Sequence, residues 1–186
     1  MTPFGGVFLM NKTKRIVLIS IYVALAIVLD YIKTFIPFLN MPNGGSINIA
    51  LIPIVLCSFQ LGAGDGVIAG LLWWLISSIL GLNSWIINIW QYLFDYVIPS
   101  VLPGCSSFLY KNKKLNEMEL GILICMLLRT AVIILSGAIY WPGEAASNSV
   151  AAWIGSFAYN CPYSLATTIM LMVIIPLISK SFRKMI

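Results

Sequence analysis

The chain contains no histidine, and its four cysteines, Cys57, Cys105, Cys125 and Cys161, never form a CxxC pair. Zinc and most other transition metals are held by these two residue types at short spacing, so no resident metal or other cofactor is expected. Each cysteine falls within or at the edge of an apolar run, where a reduced thiol packs as a small hydrophobe. Charge is scarce as well. Only 9% of the 186 residues are Asp, Glu, Lys or Arg, while 60% are hydrophobic. A soluble domain carries roughly 25% charged residues. So thin a polar coat excludes a water-solvated globule, and a mean hydropathy of +0.97 agrees. Lipid is the solvent for most of this chain. There is no Walker lysine motif, which excludes ATP hydrolysis by a P-loop. No nucleophile–base pair supports an enzyme working inside the membrane.

What charge there is has a pattern. The net charge of +5 could suggest nucleic acid, but that needs a basic face on a soluble module. Here the basic residues cluster at the ends of apolar runs, where they fix orientation. Six runs approach the ~20 residues a helix needs to cross the hydrocarbon: 16–36, 46–61 with Pro53, 66–82, 85–109 with Pro99 and Pro103, 120–140 and 150–178. The expected fold class is an all-α membrane protein, a six-helix transmembrane bundle with both termini cytoplasmic. That orientation puts nine of the eleven basic residues inside: Lys12, Lys14 and Arg15, then Lys111, Lys113 and Lys114, then Lys180, Arg183 and Lys184. One membrane domain (16–179) is expected between a cytoplasmic N-terminal segment (1–15) and a basic cytoplasmic tail (180–186). The first run continues past Ala24-Leu25-Ala26, so it reads as a retained helix and not a cleaved signal peptide. Met10 is an alternative start to Met1. The expected outer loops are Pro37–Gly45, Leu82–Ser84 and Trp141–Ser149, the first rich in turn formers and able to act as a lid.

Gly64-Asp65-Gly66-Val67-Ile68-Ala69 fits a loosened dinucleotide fingerprint, but that fingerprint needs a preceding strand and a later acid. Gly62, Gly66 and Gly70 are better read as small-x-x-x-small steps that let helices approach closely.

An ionisable residue at the bilayer centre costs about 2.5–3.5 kcal/mol on insertion scales. Asp95 and Arg129 fall near the middle of the fourth and fifth runs. Two readings stay open: a structural ion pair joining two helices, or a polar ligand site at the bundle centre. Asp30 and Lys33, three apart near the outer end of the first run, read as a local ion pair. Polar stripes accompany the central charges: Asn88, Gln91 and Asp95; Arg129, Ser136 and Tyr140, with Ile133 among them; and Ser156, Asn160, Tyr163 and Thr167. Three stripes suggest one cavity. Aromatic residues on or beside the third to sixth runs, among them Trp73, Trp74, Trp90, Tyr92, Tyr96, Trp141, Trp153 and Tyr159, suit either a membrane-interface belt or contact with an aromatic or cationic ligand. Ser20 and Ala24, with Ala26 nearby, could pack inside the bundle or dock a partner helix.

From about Arg15 onward the chain resembles the thiamine-specific S components of energy-coupling factor transporters. The likeness rests on Met41-Pro42-Asn43-Gly44-Gly45-Ser46-Ile47-Asn48-Ile49 with Ile52-Pro53-Ile54, on Leu93-Phe94-Asp95-Tyr96, on Leu127-Leu128-Arg129 with Ser136-Gly137-Ala138-Ile139-Tyr140-Trp141, and on Trp153 with Ser156-Phe157-Ala158-Tyr159-Asn160. It implies a plasma-membrane subunit that captures thiamine from outside and docks on a transmembrane coupling subunit driven by two ATP-binding subunits. It further implies ligand contacts at Asp95, Tyr96, Arg129, Trp141, Asn160 and Trp73, and a docking surface at Ser20 and Ala24. Asn48 and Gln91 join the candidate contacts. Three positions depart from the family: Ile133 stands where it usually has histidine, Gly155 where it has tyrosine, and Asn48 where some members have an acid. These departures keep open another small heteroaromatic ligand, such as a precursor or analogue of thiamine; a membrane scaffold that binds no small molecule is a separate alternative.

Overall fold

The structure, a computed structural model, describes residues 11–40, 45–82, 85–112 and 114–184, with side chains described as far as Lys180. The described residues form six helices and no named strand. These are α1 (Lys12–Lys33), α2 (Leu51–Leu61), α3 (Ala63–Ile79), the composite α4 (89–109), α5 (Leu115–Tyr140) and α6 (Val150–Lys184). Three stretches are long and apolar enough to cross a membrane: Lys12–Lys33, Leu115–Tyr140 and Val150–Lys180. Large apolar side chains such as Ile16, Leu25, Ile154, Phe157 and Leu165 point outward, as they do when lipid and not water bounds the protein. Met41–Gly44, Ser84 and Lys113 lie outside the described residues, as do the side chains of Arg183 and Lys184.

The second run differs from expectation. Its first five residues, 46–50, are not helical; Ser46 bridges back to Asn40 instead. The Asn48 side-chain Oδ1 accepts from the Ala50 N–H at 3.2 Å, a local turn that competes with helix. Helix begins only at Leu51, which places Pro53 in the first turn, where its missing N–H costs nothing. At ~1.5 Å per residue, the 11 residues of α2 do not reach across the hydrocarbon alone. Eight of the 11 are buried, so α2 is a core element walled by its neighbours.

Glycines set the packing. Gly62, at φ +109°, is the break that turns α2 into α3. It is therefore a turn residue, not the packing step expected of it. Gly66 and Gly70 do pack: a Cβ on Gly66 would strike the Gly104 carbonyl oxygen, and one on Gly70 the Ser100 carbonyl oxygen. α3 and α4 thus touch backbone to backbone.

Two polar links join α1 to α3 at both ends. Arg15 Nε meets Asp65 Oδ2 at 2.5 Å, and Ser77 Oγ lies 3.4 Å from Asp30 Oδ2. The order of these links along each helix makes α1 and α3 parallel neighbours. Asp65, part of the loosened dinucleotide fingerprint in the sequence, is 2% exposed and paired; a helix and not a strand precedes it. All four cysteines are free, with Cys57 and Cys125 buried.

Candidate functional site

α4 does not run as one regular helix. It begins as α-helix at Ile89–Tyr92, widens to a π-turn at Leu93–Val97, returns to α at Ile98–Val101 and tightens to 3-10 at Leu102–Leu109. Pro99 and Pro103 stand at the second positions of the last two segments, and each deletes a backbone donor that regular helix would use. π-turns often coincide with functional sites because they reorient a side chain. This one carries Asp95.

Asp95 opens onto a cavity of ≈ 840 Å³ between the helices. Its position is set by a relay from the loop before α4. Asn88 caps the helix, its Oδ1 accepting from the Gln91 N–H at 2.9 Å. The fully buried Gln91 side chain then accepts from the Ile87 N–H at 3.0 Å and donates to the Trp85 carbonyl at 3.2 Å and to Asp95 Oδ2 at 2.6 Å. Trp141 Nε1 donates to the same Oδ2 at 2.8 Å. Oδ1 receives no hydrogen bond from the described residues. One carboxylate oxygen is therefore fixed and the other is left for whatever enters.

The residues expected to bind ligand largely converge. Asp95, Tyr96, Arg129, Trp141, Asn160, Trp73 and Asn48 all line the cavity. Gln91 does not; it acts on Asp95 from behind. The Tyr96 hydroxyl donates to the Trp85 carbonyl at 3.2 Å. Asn160 is 5% exposed; its Nδ2 donates to the Ser156 carbonyl at 2.9 Å, and its Oδ1 accepts from the Tyr163 hydroxyl at 2.5 Å. The Asn48 N–H donates to Thr167 Oγ1 at 3.1 Å, tying the segment before α2 to α6. The end of the expected lid loop is in contact too: Gly45, at φ +74°, lies against the Tyr163 ring with no room for a Cβ.

Asp95 and Arg129 do not form the ion pair that was one of the two expected readings. Among the described residues the ion pairs are Arg15–Asp65 and Lys33–Asp30. Arg129, 8% exposed, gives its Nε to the Pro99 carbonyl at 3.2 Å and keeps a buried Nη1 without a partner. Trp73, 7% exposed, likewise keeps a buried Nε1 without an acceptor. The local pair expected between Asp30 and Lys33 is present at 2.7 Å, but both residues also line the cavity, a role the sequence reading missed. The available signal was helical phase: Asp30 continues the buried face of Ile19, Val23 and Ala26. Trp85 and Tyr163 are further wall residues, the first not singled out and the second seen only as part of a stripe. Of the aromatics, Trp90 is 62% exposed on the outer surface.

All three departures from the family pattern, Ile133, Gly155 and Asn48, line this same cavity. Nothing stands within 4 Å of a Cβ built on Gly155. Ser20 and Ala24 are exposed, on a face of α1 that flanks the buried Ile19, Val23 and Ala26.

The family model described as thiamine transporter protein (Thia_YuaJ) matches residues 16–186. Thiamine transporter ThiT of Bacillus subtilis (strain 168) is 32% identical over 183 residues, which cover 91% of this chain and 93% of that protein. The solved structure of ThiT from Listeria monocytogenes shares the fold, with a TM-score of 0.74 at 22% identity over 94% of this chain and 98% of that one.

Proposed function

The chain belongs to the thiamine transporter protein family, a multi-pass protein of the bacterial plasma membrane, and from that premise we propose that it is an S component whose central cavity captures thiamine. Thiamine joins a cationic thiazolium to an aminopyrimidine. The observation that carries the reading is the half-satisfied Asp95 carboxylate. Its Oδ2 is locked by Gln91 and Trp141, and its Oδ1 is free to meet positive charge inside the cavity. Trp141 and Tyr96 supply aromatic faces for a flat cation, and Asn160 a polar edge for the second ring.

In this reading Lys33, Leu82 and Trp141, all close to the cavity, mark the outer end, and the Arg15–Asp65 link the inner end. Both termini are then cytoplasmic, the membrane domain spans 16–179, and 1–15 and 180–186 flank it, with α6 continuing as helix into the basic tail. Thiamine enters from outside. The exposed Ser20–Ala24 face of α1 docks on a transmembrane coupling subunit, and two ATP-binding subunits supply the energy. This chain performs no catalysis itself; its relatives are transporters.

Tryptophan-fluorescence titration of the purified protein with thiamine, its isolated pyrimidine and its isolated thiazolium tests the assignment. Thiamine should bind best, and Asp95→Asn should weaken thiamine and the thiazolium at least tenfold more than the neutral pyrimidine. No response to thiamine, with a response to another heteroaromatic, would move the protein to a different ligand. No response to any of them would favour a scaffold.

A further inference from the structure

Four charged residues line the cavity, and only two of them neutralise each other. Asp30 and Lys33 are joined at 2.7 Å. Asp95 and Arg129 are not within ion-pair distance of each other and are held apart by different partners. Asp95 is drawn to Gln91 and Trp141, and Arg129 to the carbonyl of Pro99. A cation bound at Asp95 therefore cancels the carboxylate and leaves the Arg129 guanidinium as a lone buried charge. Such a charge is strongly disfavoured unless an anion and further hydrogen bonds accompany it. Arg129 Nη1 is buried with no acceptor, and so is Nε1 of Trp73, another residue of the cavity lining. Both residues are more than nine-tenths buried. Two orphan donors, one of them cationic, describe a receptor for negative charge.

We propose that Arg129, with Trp73 as a second donor, forms an anion subsite, so that the cavity is loaded with a cation and an anion together. The cation rests on the thiamine reading above; the anion is additional to it. One chemistry has two sources here. The anion is either a free ion, such as chloride or inorganic phosphate, or a phosphate group that the cationic ligand itself carries as an ester. A carboxylate on the protein would have supplied the charge permanently; Asn48, another wall residue, is a neutral amide.

Iodide quenching of tryptophan fluorescence tests the subsite without thiamine. The ligand-free protein should show a saturable component that chloride or phosphate displaces and gluconate does not. Arg129→Gln should lose it and Arg129→Lys should retain it. Quenching that is strictly linear in iodide and indifferent to chloride overturns the proposal, and that reading needs no variant to fold. A second arm identifies the source. If the anion is free, replacing chloride by gluconate at constant ionic strength should weaken thiamine at least tenfold. If the ligand carries it, thiamine monophosphate should ignore the exchange yet lose at least tenfold in Arg129→Gln, while thiamine loses less. Affinities that ignore both the anion and Arg129→Gln overturn the subsite even when thiamine binds tightly. Failure of thiamine to bind in any salt overturns the thiamine reading instead, and the iodide arm then decides the subsite by itself.

Discussion

Gln91 donates to Oδ2 of Asp95 at 2.6 Å from one turn earlier in α4. Because Gln91 is fully buried and does not line the cavity, its effect on any ligand passes through the carboxylate. Gln91→Leu should weaken thiamine about tenfold, which corresponds to ~1.4 kcal/mol. It should also lower thermal stability, since the Ile87 N–H and the Trp85 carbonyl lose their partner. If Gln91 touched the ligand directly, the Asp95→Asn background would leave its effect intact. Titrating the double variant should instead show that most of the effect has gone.

Backbone contact between α3 and α4 predicts a sharp contrast between neighbouring glycines. Gly66→Ala must push against the Gly104 carbonyl, whereas Gly64→Ala meets nothing within 4 Å. The first should cost about 1–3 kcal/mol, as overpacking does, and the second should be near neutral. Thermal unfolding in detergent measures both, and equal effects would remove the close-packing account.

The link between Arg15 and Asp65 joins a half-exposed cation to a buried carboxylate. A double-mutant cycle with Arg15→Gln and Asp65→Asn should give a coupling of about 1 kcal/mol, because the exposed partner is screened by solvent. Arg15→Gln alone should be the more damaging single change, for it leaves Asp65 buried without its counter-charge. A coupling near zero would mean that other contacts hold α1 to α3.

The open wall at Gly155 should accept bulk. Gly155→Tyr should fold normally, since nothing stands in front of that backbone, and should shrink the cavity. Thiamine analogues enlarged on one ring should bind the natural chain and fail to bind the variant, as read by their competition with thiamine in the tryptophan-fluorescence titration. Equal tolerance in both proteins would place the analogue's substituent elsewhere.

A docking role for α1 makes a separable prediction. Ser20→Trp and Ala24→Trp alter an exposed face that does not meet the cavity. Thiamine titrations should be unchanged, while co-purification with the transmembrane coupling subunit should be lost. Retained assembly would move the interface to another face of the bundle.

Much of this was legible before the fold was known, because polar residues are expensive in an apolar chain and so mark themselves. Asp95 and Arg129 stand out by depth alone, and the polar stripes, Asn160 among them, point at one cavity. Azimuth was the missing coordinate. Depth allows Asp95 and Arg129 to pair, but the π-turn and the pull of Trp141 turn the carboxylate elsewhere. For the same reason Gln91, read as a candidate contact, lies behind Asp95 and off the cavity wall. Asp30 and Lys33 were seen as a pair near the membrane surface, but not as part of the wall, because a local pair explains itself without reference to a partner helix. The break at 46–50 was hidden by an apolar run; only the Asn48 turn and the position of Pro53 mark it.

The π-turn at Leu93–Val97 has a consequence for the history of the chain. A π-turn holds one residue more than regular helix needs, so removing a single residue there would heal the helix and leave the segments before and after it facing nearly as they do now. What would change is the direction of the residues inside the turn, Asp95 among them. The extra residue is thus separable from the bundle: a lineage that lost it would keep its helix packing and re-aim this carboxylate.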